Sequence, residues 1–166
     1  MTDTLKTEIV ALIPRLRRFA MALAGSQDEG DDVVQAACLK ALGNLHQYEP
    51  GTRLDSWMFR IVQTTFLDQR RRYEHRMTSA DLDTVYQTSD DGYAQRKTEH
   101  GLLLQQVRDA MGDLPDDQRA ALALVAIEGF SYKEAAAILE VPVGTVMSRL
   151  ARARDRLRPL GREALS

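Results

Sequence analysis

Apolar residues recur at three- and four-residue steps along most of this 166-residue chain. Such spacing is typical of amphipathic α-helices, in which one face packs on a core. Near the N-terminus it predicts a short helix that stops at Pro14, because proline lacks the backbone N–H that a helix interior needs. A second helix then runs to Gly25, a residue suited to end it.

The next helix is predicted to begin at Ser26, because Ser26 and Glu29 have the spacing of a capping box. One face of this helix is apolar and is expected in the core: Val34, Ala37, Cys38, Ala41, Leu42 and Leu45. A polar loop at 46–53 separates it from the helix that follows.

A long helix is predicted from Leu54 to Arg72, and Thr52 with Asp55 again has capping spacing. Its apolar stripe is expected to be buried and consists of Leu54, Trp57, Met58, Ile61 and Val62. A different face is polar and carries Arg60, Gln63, Thr64 and Arg71. Residues 77–100 then lose the apolar period and gain Ser, Thr, Asp and Gly, which predicts a linker.

Helical periodicity returns in residues 101–166. The run from Ala120 to Ile127 is apolar on every side, which indicates burial between other helices. Ser131 and Glu134 form a further capping pair, and the short helix they open has Tyr132, Ala135, Ala136 and Leu139 on one face. A last helix begins near Val143 after a brief turn, which is helix-turn-helix spacing. The predicted fold is all-α, with small helical domains at 1–76 and 101–166 joined by a flexible linker.

The last helix has two distinct faces. Its apolar stripe is Val143, Val146, Leu150, Ala153 and Leu157. The other face offers hydroxyls near its start and guanidinium groups along its length: Thr145, Ser148, Arg149, Arg152 and Arg156. An α-helix fits the DNA major groove, where arginine can bind guanine in a bidentate manner. The pattern therefore predicts a DNA-binding helix, with an arginine-rich solvated helix as the simpler alternative.

The formal net charge of −2 conceals a segregation of charge. Residues 79–117 carry nine acidic and three basic side chains, whereas residues 131–166 carry seven basic and four acidic ones. A second basic cluster consists of Arg70, Arg71, Arg72 and Arg76. Two basic elements separated by an acidic stretch indicate two contact surfaces for a polyanion.

Composition also excludes several classes of protein. Cys38 is the single cysteine, so an internal disulfide or a cysteine-based zinc site is not expected. The histidines at 46, 75 and 100 show neither metal-ligand nor nucleophile spacing. Neither a signal peptide nor a long apolar run is evident. We expect a cytoplasmic protein without catalysis, cofactor, resident metal or membrane insertion.

Three stretches resemble a known family: "FAMALAGSQDEGDDVVQAACLKAL", "LDSWMFRIVQTTFLDQRRR" and "LPDDQRAALALVAIEGFSYKEAAAILEVPVGTVMSRLARARDRLR". The first two resemble region two, and the third region four, of extracytoplasmic-function (ECF) sigma factors of the sigma-70 family. They occur in the family's order and span most of the chain. The resemblance implies an alternative sigma factor that binds bacterial core RNA polymerase, directs it to promoter DNA, and is held by an anti-sigma factor.

In region two, the resemblance implies that one helix contacts core polymerase through Asp31, Asp32, Val34 and Gln35. The acids also favour a helix start by themselves. Tyr48 lies in the loop where the family captures a flipped base of the minus-ten element, although it is equally compatible with an ordinary loop aromatic. The other minus-ten candidates are Arg60, Gln63 and Thr64, with Arg70, Arg71 and Arg72 placed to meet phosphates.

In region four, the resemblance matches Thr145, Ser148, Arg149 and Arg152 to the minus-thirty-five readers. Three positions depart from the family's usual residues. Thr64 stands where asparagine is common, Met147 replaces a basic residue, and Glu140 replaces the glycine that favours the bend of the helix-turn-helix.

Two other functions fit parts of this pattern. A sigma-like decoy would sequester an anti-sigma factor without touching DNA, but it has no need of "QRRR" and "RLARAR". A plain helix-turn-helix regulator accounts for the C-terminal half and leaves the N-terminal half without a purpose.

Overall fold

The structure, a computed structural model, describes residues 2–79 and 99–165 and divides into two compact units, Met1–Ser89 and Asp90–Ser166. Every element in the described residues is helical, which confirms the all-α class. The first unit contains α1 (Thr2–Ala24), α2 (Gln27–Gly43), a 3-10 turn (Leu45–Gln47) and α3 (Leu54–Ser79). The second contains α4 (Glu99–Gly112), α5 (Asp116–Leu122), a π-helical segment (Ala123–Ile127), α6 (Tyr132–Leu139) and α7 (Val143–Leu165). The linker predicted at 77–100 falls mostly on residues 80–98, outside the described residues.

Helix α1 is continuous through Pro14, so the prediction of a break there was wrong. Proline removes one backbone hydrogen bond from the helix. However, Ile9 before it and Leu16 and Phe19 after it are all buried in the same core. Packing on both sides of Pro14 therefore keeps the two halves in one helix.

The first unit is a three-helix arrangement in which α1, α2 and α3 all pack on one another. The rings of Phe19 and Phe59 lie 5.2 Å apart at its centre. Helices α1 and α2 approach closely at Gly30, where an added Cβ would lie 3.0 Å from the backbone nitrogen of Met21. The hydrogen bond from the Glu29 N–H to Ser26 Oγ, 3.2 Å, is one of the two bonds of the predicted capping box and makes Ser26 the N-cap of α2.

The buried face of α3 is only partly the predicted one, since Met58 and Val62 are buried as predicted. Leu54, Trp57 and Ile61 are only half-buried, whereas Phe59 and Phe66 are buried. The predicted cap was also wrong. The Thr52 hydroxyl donates to the Glu49 carbonyl oxygen, and the first helical hydrogen bond of α3 runs from the Trp57 N–H to the Arg53 carbonyl. The helix therefore begins one residue too late for Thr52 to cap it.

In the second unit, α5 and α6 pack against α7. The run predicted to be buried throughout is only half-buried at Leu122 and Val125, and Ile127 is 42% exposed. The π-helical segment, with a hydrogen bond from the Glu128 N–H to the Ala123 carbonyl, widens the turn and rotates the following residues away from the core. On α6, Ala135 and Ala136 are buried as predicted, whereas Tyr132 is exposed and Ile138 is buried in addition.

Arg119 is a buried charge that the apolar pattern did not reveal. It is 5% exposed, and its Nη1 donates to the carbonyl oxygens of Met111, Gly112 and Leu114 at 3.2, 3.3 and 2.9 Å. Its Nη2 pairs with Asp116. Arg119 therefore satisfies carbonyls at the end of α4 and fixes α4 to α5.

Candidate functional site

The helix-turn-helix of the second unit consists of α6, the turn at 140–142 and α7. Both hydrogen bonds of the capping box predicted for α6 are present. The Glu134 N–H donates to Ser131 Oγ at 3.1 Å, and the Ser131 N–H donates to Glu134 Oε1 at 2.9 Å. This reciprocal cap defines where α6 begins, which confirms the sequence interpretation at this position.

Glu140 makes the bend between the two helices. Its backbone is left-handed, with φ 58° and ψ 46°, and its N–H donates to the Ala136 carbonyl. Glu140 is the one non-glycine residue with positive φ among residues 2–79 and 99–165. An L-residue with a side chain adopts this conformation at a cost that glycine avoids. The turn is thus closed in spite of Glu140.

Helix α7 keeps one face buried and exposes the other. Val146, Leu150 and Ala153 are buried as predicted, but Val143 at the start of the stripe is 40% exposed. On the opposite side, Ser148, Arg152 and Arg156 are exposed.

The remaining α7 positions differ from this simple division. Thr145 and Arg149 are half-buried, and the Ser148 hydroxyl donates to the Gly144 carbonyl at 3.0 Å. Met147 is 52% exposed beside the predicted polar face, so an apolar side chain belongs to the outward surface as well.

In the first unit, the loop at 46–53 is held by its own contacts. The Tyr48 hydroxyl donates to the Thr52 carbonyl, and the Tyr48 ring packs on the ring of Trp57 with centroids 5.5 Å apart. Tyr48 therefore has one side engaged by the fold while the residue remains partly exposed.

A carboxylate fixes the end of this loop. Asp55 accepts hydrogen bonds from Arg53 Nε at 3.1 Å and Nη2 at 2.7 Å, and Arg15 Nη1 lies 3.4 Å away. Burial alone would raise the pKa of Asp55. The hydrogen bonds from Arg53 and from the Ser56 N–H, together with the charges of Arg53 and Arg15, outweigh burial and lower that pKa.

The residues of the polar face predicted for α3 differ in their exposure to solvent. Arg60 is exposed, and Thr64 is half-buried with its hydroxyl donating to the Ile61 carbonyl at 3.1 Å. Gln63, which was predicted on this polar face, is buried at 7% exposure. Gln63 follows Phe59 by four residues and precedes Phe66 by three, so all three share the side of α3 that faces the core.

The basic cluster at the end of α3 is also divided. The Arg70 guanidinium lies 5.0 Å from the centroid of the Phe66 ring, and Arg70 is half-buried. Arg71 and Arg72 are exposed. Two of the three predicted phosphate contacts are therefore on the surface, while the third packs partly on the protein.

A groove runs between α1 and α2, on the side of α2 that carries Cys38 and Leu39. Leu39 is 67% exposed and Leu42 44% exposed, so the prediction that Leu42 is buried was wrong. A salt bridge of 2.9 Å between Arg17 and Asp31 borders the groove, and burial raises the pKa of the Cys38 thiol. The lining residues are Ile13, Arg17, Asp31, Val34, Gln35, Cys38, Leu39 and Leu42.

Three of the four predicted polymerase contacts line this groove, namely Asp31, Val34 and Gln35. Val34 is only 5% exposed and forms its floor, whereas Asp32 is exposed outside the lining. The sequence pattern assigned Cys38 and Leu42 to the core because it could not show that α1 leaves this side of α2 open.

Within residues 2–79 and 99–165, no group of three or more His, Cys, Asp or Glu side chains is arranged to hold a metal ion. None of the described helices combines the length and apolar character needed to span a membrane.

Comparison with known proteins gives matches over both units. A model of sigma-70 region 4 matches residues 104–157, and a model of the sigma2 domain of PhyR matches residues 9–63. The ECF RNA polymerase sigma factor EcfG of Rhodopseudomonas palustris is 41% identical over 165 residues, covering 96% of this chain and 86% of EcfG. The ECF RNA polymerase sigma-E factor of Escherichia coli is 33% identical over 132 residues, covering 75% and 69%.

Two solved structures have a similar fold. The sigma factor RpoE of Bartonella quintana, in complex with the anti-sigma factor NepR, matches with a TM-score of 0.83 and 32% identity over 98% of both chains. The anti-anti-sigma factor PhyR of the same organism, also complexed with NepR, matches with a TM-score of 0.63 and 22% identity. That match covers 92% of this chain and 49% of PhyR.

Proposed function

This chain belongs to the ECF RNA polymerase sigma factors, and we propose that it binds core RNA polymerase and contacts promoter DNA with both of its units. Residues 1–76 act as region two and residues 101–166 as region four. The chain performs no catalysis of its own in this proposal. Because polymerase and promoter lie in the cytoplasm, the proposed function implies that location.

The observation that carries the proposal is the exposed face of α7. Helix α7 follows the turn of a helix-turn-helix, and its buried side consists of Val146, Leu150 and Ala153. Ser148 and Arg152 are exposed on the outward side, which supports their contact with base edges if α7 lies in the major groove. Arg156, one turn further on, is suited to a phosphate. We propose that this face, with Thr145 and Arg149 beside it, reads the minus-thirty-five element.

For the minus-ten element we propose the loop at 46–53 and the exposed residues of α3. The Tyr48 ring is partly exposed at the loop, and Arg60 is exposed on the helix. Arg71 and Arg72 supply positive charge for phosphates. Thr64, half-buried, is retained as a contact, whereas the burial of Gln63 favours an internal role.

For core polymerase we propose the groove between α1 and α2. Exposed leucines line it together with Asp31 and Gln35, and this combination suits a helical partner with apolar and polar side chains. Because its relative RpoE is complexed with the anti-sigma factor NepR, we also propose an anti-sigma partner for this chain.

Transcription with purified core polymerase tests the proposal. The wild-type chain should bind core and yield transcripts from promoters selected out of randomised DNA. Leu39→Asp places a charge in the groove and should reduce core binding at least ten-fold, as expected when a charge is buried without a partner. The matched control is Val10→Asp, because Val10 is 63% exposed on α1 and does not line the groove. Equal effects of the two variants would contradict the groove's role.

A sigma-like decoy is the second candidate. The match of residues 9–63 to the sigma2 domain of PhyR favours it, since PhyR is described as an anti-anti-sigma factor. The exposed arginines of α7 argue against it, because a protein decoy has no use for a DNA-reading face. A wild-type chain that binds an anti-sigma factor but neither binds core nor supports transcription would establish the decoy instead.

A further inference from the structure

Two adjacent aspartates begin α5, and they have different partners. Asp116 pairs with the buried Arg119 and belongs to the connection between α4 and α5. Asp117 instead faces α7, where its Oδ2 lies 3.5 Å from Nε of Arg149. Its other oxygen, Oδ1, accepts a hydrogen bond of 2.8 Å from the Gln118 N–H. The carboxylate of Asp117 is therefore held by the backbone on one side and meets Arg149 on the other.

The nitrogens of the Arg149 guanidinium differ in their distance from Asp117. The closest approach to Asp117, 3.5 Å, is made by Nε, so Nη1 and Nη2 lie further from the nearest carboxylate oxygen and can meet an external acceptor. Guanine presents O6 and N7 in the major groove, and two parallel N–H donors satisfy both. An arginine held at Nε keeps fewer rotamers open, so less freedom is lost when the terminal nitrogens bind.

The solvent exposure of Asp117 and Arg149 is more consistent with a contact that orients Arg149 than with one that only stabilises the fold. The side chain of Arg149 is 22% exposed and that of Asp117 is 50% exposed. Ion pairs with this much solvent contact contribute little to folding stability. The pair also joins α5 to α7, two helices that pack on each other, so the anchor for Arg149 lies outside the reading helix itself.

We propose that Asp117 is a positioning residue that directs the terminal nitrogens of Arg149 toward a base of the upstream promoter element. The inference rests on the proposed function, in which α7 contacts that element. Asp117 touches no DNA in this role. Its negative charge weakens affinity for DNA in general, while its hold on Arg149 increases discrimination between sequences.

These two effects of Asp117 have opposite signs, and they allow a clear test. Holoenzyme is assembled from the full chain and core polymerase. Binding is then measured to a promoter duplex selected with the wild type and to a set with single base changes across the upstream element. Asp117→Asn should leave affinity for changed duplexes equal or higher and reduce discrimination at one guanine position about five-fold. Arg149→Ala should reduce discrimination at the same position more strongly than Asp117→Asn does, without abolishing it.

The double variant separates positioning from a change in fold or charge. If Asp117 acts through Arg149, adding Asp117→Asn to Arg149→Ala should produce no further loss of discrimination. Asp155→Asn is the matched control, since it removes one negative charge and one exposed ion pair from the same unit and should leave discrimination unchanged. Thermal unfolding of each variant verifies that the fold is retained.

Three results would overturn the inference. Asp117→Asn could leave discrimination intact while Arg149→Ala reduces it, which refutes positioning but keeps the proposed function. Asp117→Asn could reduce discrimination by the same factor in the Arg149→Ala background as in the wild type, which would assign its effect to charge alone. No change in either variant would remove Arg149 from the reading surface as well.

Discussion

Helices α3 and α7 are both long, both amphipathic and both rich in arginine, yet they offer their polar residues to solvent differently. On α7 the polar residues Ser148, Arg152 and Arg156 are exposed. On α3 the polar residues Gln63 and Thr65 are 7% and 1% exposed, and Arg70 lies over the Phe66 ring. Both helices pack on their neighbours, α3 on α1 and α2 and α7 on α5 and α6, and they differ in that polar side chains lie on the packed face of α3.

This difference indicates two ways of contacting a polyanion. In the proposed function, α7 itself forms the DNA contact surface of the second unit, as expected for a helix that enters the major groove. In the first unit the loop at 46–53 and the end of α3 remain accessible, and the middle of the helix supports them. Substitutions in the two helices should therefore act on different properties.

The largest effect on the stability of the first unit is expected at the contact between α1 and α2. Gly30→Ala would place a Cβ 3.0 Å from the Met21 backbone, so the helices must separate. We expect the free energy of unfolding to fall by about 2 kcal/mol, as is common for overpacked contacts. Urea unfolding followed through Trp57, the single tryptophan of the chain, measures the first unit selectively. The control Gly43→Ala meets no atom within 4 Å and should not destabilise it.

Gln63→Leu tests whether the middle of α3 is core. Oε1 of Gln63 is buried without a hydrogen-bond partner, so an apolar side chain of similar size should stabilise the unit by about 1 kcal/mol. The exposed Gln35 provides the control, and Gln35→Leu should leave the urea midpoint unchanged. A loss of stability in Gln63→Leu would show that the amide has a partner the fold depends on.

Glu140→Gly should stabilise the second unit, whereas most substitutions destabilise a protein. Relief of the left-handed backbone at φ 58° should stabilise the helix-turn-helix by up to about 1 kcal/mol. Hydrogen exchange of the α6 and α7 amides reports this locally. Glu140→Ala retains a Cβ and should bring no such gain; equal protection in both variants would mean that the turn is not strained.

The smallest effect is the pH dependence from Asp55. Its pKa is lowered in the folded state, so the ionised carboxylate stabilises the first unit at neutral pH. That contribution disappears as pH falls below about 4, where the unfolded chain takes up the proton more readily. Arg53 is largely exposed, so we expect less than about 1 kcal/mol. Asp55→Asn should flatten this part of the stability curve, and an unchanged slope would contradict the assignment.

The sequence predicted the helix-turn-helix well because its signals are local. The Ser131–Glu134 cap and the stripe of Val146, Leu150 and Ala153 depend on neighbours within a few residues. The buried face of α3 was predicted less well, because the packing of α1 and α2 decides how α3 is rotated. The contact of Asp117 with Arg149 joins positions distant in sequence, and no period along the chain could indicate it.

Substitution of Arg152 tests most directly whether the exposed face of α7 reads DNA. Holoenzymes with Arg152→Ala or Arg158→Ala are compared for transcription from a selected promoter and for core binding. Arg158 is the control because it lies on the same helix and pairs with Asp155. We expect Arg152→Ala to lower promoter-specific transcription about ten-fold and Arg158→Ala to leave it unchanged, with core binding constant in both. Equal transcription from the two variants, or a matching loss of core binding in Arg152→Ala, would contradict the assignment of α7 as the reading helix.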